Sequence, residues 1–137
     1  MNLQDLSYAL VQVVHNFGAA SVVAAPLVAL LFARQQAEMR RRLSWIVLFG
    51  WAAQGASGMG FGAVSYYNYG KFPYLHGIAT IALIIKVVCA ISALLLVLTL
   101  LAKGSSWNAK SHHRVWHSLA GFGTIAITAA AFLRWFS

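Results

Sequence analysis

Two ionisable side chains lie where the sequence is otherwise hydrocarbon. His15 falls inside the run Leu6–Ala33, which carries no formal charge, and Lys86 is the single formal charge between Phe72 and Ala102. Ionisable groups in a bilayer are costly and default to a functional role. The only carboxylates of the chain are Asp5 and Glu38, and neither lies in an apolar run. Lys86 must therefore lose its charge, snorkel to an interface, or pair with an anion that the chain does not supply.

Depth along the helices brings these groups together. His15 precedes Arg34 by 19 residues and Lys86 precedes Lys103 by 17. At 1.5 Å per residue both stand about 25–29 Å from the basic ends of their helices. Met59 reaches a similar level, 16 residues after Leu43, with Gln54 slightly deeper. A neutral imidazole is a common metal ligand, and haem iron takes His/His or His/Met axial pairs. The expected site is thus a haem with His15 on the iron, Met59 or His76 opposite or an open sixth position, and Lys86 against a propionate or a substrate anion. His76 stands ten residues before Lys86, roughly 15 Å further along the axis. Gly55, Gly58, Gly60 and Gly62 either pack helices, with Gly58 and Gly62 four residues apart as the pair that lets backbones approach, or leave room for a flat cofactor. His112, His113 and His117 read as a solvated basic helix end, with a metal site as the rival.

The elements that must position these residues follow from composition. The 137 residues are 61% hydrophobic and 9% charged, against about 25% charged in an average soluble domain. A soluble globular protein and a disordered chain are both excluded. A lone cysteine, Cys89, excludes a disulfide scaffold. Continuous apolar runs argue against a membrane β-barrel. The fold expected is all-α, a single membrane domain over 1–137. It is a polytopic, antiparallel four-helix bundle with spans at about 6–33, 43–69, 73–102 and 113–135, the first read as a retained helix rather than a leader. Pro73 suits the start of the third span. Tyr66, Tyr67, Tyr69, Phe72 and Tyr74 form an interfacial belt.

Arg34, Arg40, Arg41, Arg42, Lys103, Lys110 and Arg114 lie in the first and third connections, against Lys71 and Arg134 on the other side. The positive-inside rule places both termini outside a bacterial-type inner membrane. The net charge of +8 is mostly this bias. It favours anionic headgroups over nucleic acid as partner. Other membrane subunits or a redox protein are further expected partners. No P-loop, dinucleotide fingerprint or Ser/His/Asp set occurs, so hydrolytic chemistry is not expected.

The pattern resembles a superfamily of small four-helix membrane proteins that includes CopD-like copper-resistance domains and HemJ-type protoporphyrinogen oxidases. The resemblance rests on His15-Asn16-Phe17-Gly18-Ala19, Met39-Arg40-Arg41-Arg42-Leu43, Gly58 and Lys86. It implies haem b binding, with His15 and Lys86 as the essential first-span histidine and third-span lysine of the HemJ type. Three functions stay open: a haem-b redox or electron-transfer protein, a protoporphyrinogen IX oxidase, and a cofactor-free accessory subunit of a respiratory or photosynthetic complex.

Overall fold

The computed structural model describes residues 2–137. Four long helices, α1 (Leu3–Phe32), α2 (Ala37–Tyr69), α3 (Ile78–Lys103) and α4 (Ala109–Phe136), account for nearly all of it, with a short 3-10 turn at Gly104–Ser106. The described residues contain no strand. The ends are marked by local chemistry. Asn2 caps α1 by accepting from the Gln4 amide, and Asp5 complements the helix dipole in the first turn. Asn108 caps α4 by accepting from the Ser111 amide at 2.8 Å. Gly70 ends α2 in the left-handed region at φ 68°.

Helix α3 begins at Ile78, five residues after the start expected from Pro73. The cause is Gly77, whose φ of 58° and ψ of −127° no helix accommodates. Residues 71–76 therefore form a connection, and His76 belongs to it rather than to the third helix.

Each helix packs on two neighbours, α1 against α2 and α4, and α3 against α4 and α2. Contacts between α1 and α2 run from Gln4–Tyr69 through Val11–Gly60 to Gly18–Gly50. The Gly18 and Gly50 backbones touch: a Cβ on Gly18 would lie 3.0 Å from the Gly50 carbonyl oxygen. A closer approach joins α1 to α4. Pro26 has no amide hydrogen, so the Val22 carbonyl one turn earlier lacks its helical donor. Gly123 of α4 packs against that carbonyl, at a distance where a Cβ would stand 2.6 Å from the oxygen. The helix-packing role expected of Gly58 and Gly62 thus falls to Gly18, Gly50 and Gly123. A Cβ on Gly58 meets nothing within 4 Å, and one on Gly62 meets only the Phe72 ring.

The apolar core occupies the end of the bundle near the basic connections. It is built from Val22, Ala25 and Ala29 of α1, Val47 and Trp51 of α2, Ala93 and Val97 of α3, and Trp116 and Leu119 of α4. The outward faces are apolar as well, with Leu10, Phe17, Phe49, Ile81 and Leu95 all exposed. That arrangement suits a hydrocarbon surround and would be unstable in water. Helices α1 and α4, and α3 with its 3-10 extension, are long and apolar enough to cross a membrane. Helix α2 is not among them, because Gln54, the serines and the glycines between Gly50 and Gly62 dilute its hydropathy.

Candidate functional site

The Gly18–Gly50 contact sets the register that builds the site. One turn before Gly18, His15 points at α2, and one turn beyond Gly50, Gln54 points at α1. The Gln54 amide donates to the His15 carbonyl at 2.5 Å. Ser57, three residues further, lies 2.7 Å from His15 Nδ1. The Phe61 ring meets the imidazole edge-on, centroids 5.5 Å apart, and Tyr8 stacks behind Phe61. From α3, Lys86 reaches the other ring nitrogen, with Nζ 3.0 Å from His15 Nε2. Three helices thus converge on one imidazole.

The directions of these bonds follow from proton counting. Ser57 Oγ lies 2.5 Å from the Ala53 carbonyl oxygen. A carbonyl only accepts, so the single hydroxyl hydrogen goes there. Ser57 Oγ must then accept, and His15 Nδ1 carries the hydrogen that it receives. In the neutral ring this leaves a lone pair on Nε2, which accepts from Lys86. The pattern is the one that orients ligating histidines: one ring nitrogen anchored by a fixed acceptor, the other presenting its lone pair. Here a lysine nitrogen stands in front of that lone pair.

Beside the site the bundle is open. Trp51 and Gly58 are seven residues apart and share a face of α2. Trp51 is only 1% exposed, whereas Gly58 is exposed and a Cβ there meets nothing within 4 Å. Gly55, a turn before, is equally free of neighbours. The face that is closed in the apolar core therefore opens at the level of His15 into a strip without side chains.

Of the four residues expected to bind a cofactor, His15 and Lys86 come together. Met59 does not join them. It lies two residues past Ser57, about 200° around the helix, and is 74% exposed. There it lines an open hollow of about 680 Å³ with Gly62, Ala63, Tyr66, Tyr67 and Phe72. His76 is exposed in the connection before α3, with its ring against Tyr74. Three histidines stand at the start of α4. His112 Nε2 lies 2.7 Å from the Gly104 carbonyl and its ring meets Trp107 edge-on, whereas His113 and His117 are exposed and face each other. Among the described residues no three His, Cys, Asp or Glu side chains form a group.

Two members of the site, Ser57 and Phe61, were not anticipated from sequence, and Gln54 was seen only as a polar group at similar depth. A signal was present. Gln54, Ser57 and Phe61 follow the i, i+3, i+7 spacing of one helix face, and two polar residues at that spacing in an apolar run mark an inward-facing polar stripe.

Fold and site together define a class: an all-helical protein with three membrane-span-like helices and a histidine–lysine–serine cluster shared by α1, α2 and α3. Comparison with protein-family models, with curated proteins and with solved structures finds no match.

Proposed function

We propose that the chain is an integral membrane protein of four antiparallel spans that binds haem b at His15 and serves in electron transfer. The observation that carries this reading is the anchored imidazole. Ser57 holds Nδ1–H, Nε2 presents its lone pair, and the strip at Gly55 and Gly58 leaves space beside it for a planar macrocycle. When bound, the haem would supply a one-electron couple at its iron. Every other role belongs to the protein. His15 would hold the metal through Nε2 once the Lys86 ammonium moves off the lone pair. The displaced Lys86 would stay within reach to pair with a propionate; the two carboxylates of the chain, Asp5 and Glu38, lie in the first turns of α1 and α2, and the one ion pair among the described residues, Arg42–Glu38, does not involve Lys86. Met59, on the opposite face of α2, gives no support to a His/Met pair, so His15 as the single protein ligand is the arrangement favoured.

The direct test is a dithionite-reduced minus oxidised spectrum of protein purified from a haem-replete membrane. A b-type spectrum at about one haem per chain is the expected outcome. A colourless preparation that also fails to take up added haemin would overturn the reading. Activity on protoporphyrinogen IX separates the oxidase from the electron-transfer protein.

Lys86→Met tests the second half of the site. Methionine keeps the length and apolar stem but loses the cation. Haem should still ligate to His15 but leave more readily, with retention through gel filtration falling several-fold. Retention equal to that of the parent would remove Lys86 from the site.

The proposed orientation places the Arg34–Arg42 connection in the cytoplasm of a bacterial-type inner membrane, with both termini outside. In a Cys89→Ala background, a cysteine at Gln36 should be closed to an impermeant maleimide added to intact cells, and one at Asn68 should react. The reverse pattern would invert the topology.

A further inference from the structure

We propose that His113 and His117 form a two-nitrogen site for a divalent transition-metal ion, copper(II) foremost, at the basic end of the bundle. The site is separate from His15 and independent of the haem reading. The two residues stand one turn apart on α4, both exposed. Their Nε2 atoms lie 3.0 Å apart, with ring centroids at 4.4 Å and an interplanar angle of 76°. Two nitrogens bound to one metal at about 2.0–2.1 Å, with an angle at the metal of roughly 90–109°, are themselves about 2.9–3.3 Å apart. The pair already holds that separation, so binding needs little rearrangement. In the neutral pair one hydrogen is shared between the two Nε2 atoms. For a metal ion to take its place the donor ring changes tautomer: its hydrogen passes through solvent to its own Nδ1, which frees the second Nε2 lone pair for the metal with no net loss of a proton.

The neighbourhood decides which ions fit. Lys110 and Arg114 lie on the adjoining positions of α4, and no third His, Cys, Asp or Glu joins the pair among the described residues. His112 faces away, engaged with the Gly104 carbonyl. Oxygen-seeking cations such as Ca²⁺ and Mg²⁺ find no carboxylate there and are repelled by the local charge. A strong preference for imidazole must overcome that repulsion, which puts Cu²⁺ ahead of Ni²⁺ and Zn²⁺. Water completes the coordination, so the bound ion stays open to exchange and to a further ligand.

The test uses the full chain, free of any histidine tag, in detergent. Copper(II) chloride is titrated in by calorimetry in a non-coordinating buffer, and the product is examined by electron paramagnetic resonance. One copper per chain with splitting from two nitrogens is expected. His113→Ala and His117→Ala should each weaken binding at least tenfold, while His112→Ala and His15→Ala should not. Helicity by circular dichroism confirms that the variants fold, both positions being exposed on α4. Unchanged affinity in the doubly substituted protein, or splitting from a single nitrogen, would overturn the proposal. The His15→Ala arm keeps this outcome distinct from the fate of the haem reading.

Discussion

His15→Ala is expected to abolish the Soret band of the purified protein while leaving its helical content intact. The expectation rests on the lone pair at Nε2. Ser57 fixes the hydrogen on Nδ1, so the ring cannot turn the other nitrogen outward without breaking a 2.7 Å hydrogen bond and stranding a polar group in an apolar surround. Of the residues expected beside it, Met59 is turned outward, 74% exposed, and Lys86 serves as a donor to the ring. The fold should survive, because His15 lies outside the apolar core and its interhelical hydrogen bonds are worth roughly 1 kcal/mol each in a membrane. Ser57→Ala probes the same geometry more gently. It keeps the imidazole but frees the tautomer, and loss of such an outer partner typically costs about 10–100-fold in metal affinity. His112→Ala should leave the spectrum unchanged. If the Soret band persists in His15→Ala, the haem lies elsewhere and the three-helix cluster has another purpose.

The comparison of Met59 with Ser57 shows how far depth alone carries a sequence argument. Counting residues from the basic ends places His15, Lys86 and Met59 at one level, and for His15 and Lys86 the structure joins them. Level leaves the azimuth open, and on α2 the azimuth follows from Gly50, Gln54, Ser57 and Phe61, which face α1 as one stripe. The glycines teach the same lesson. Spacing favoured Gly58 and Gly62 as the packing pair, yet Gly18, Gly50 and Gly123 make the close approaches. A glycine packs a helix only if a partner backbone arrives at its face, and the partner's position is a property of the whole bundle. The long helices themselves were legible because uncharged runs bounded by arginine and lysine leave few alternatives. The start of α3 was not, since Pro73 can begin a helix but Gly77, four residues later, takes a conformation that a helix cannot contain.

Gly123→Ala is expected to lower thermal stability more than any other single-methyl change in the chain. The reason begins on α1. Pro26 leaves the Val22 carbonyl without its helical hydrogen bond, and α4 has closed over that carbonyl with the one residue type that brings no side chain. A methyl group at position 123 would stand 2.6 Å from the oxygen, 3.2 Å from the carbonyl carbon and 3.2 Å from a Val23 methyl. The worst contact sets a Cβ, fixed by its own backbone, against a backbone oxygen, so no rotamer change relieves it. Helix α4 must move off α1 as a body, and it carries Leu119 and Ala126 of the core with it. Overpacking of this kind costs about 1–3 kcal/mol, and a rigid backbone clash belongs at the upper end. Gly121→Ala is the matched control. It lies on the same helix two residues away, and a Cβ there meets nothing within 4 Å. Thermal unfolding followed by circular dichroism in detergent should show a clear fall in Tm for Gly123→Ala, with Gly121→Ala overlaying the parent. Equal melting curves for all three proteins would mean that α4 does not rest on the Val22 carbonyl, and the packing of α1 against α4 would need to be drawn again.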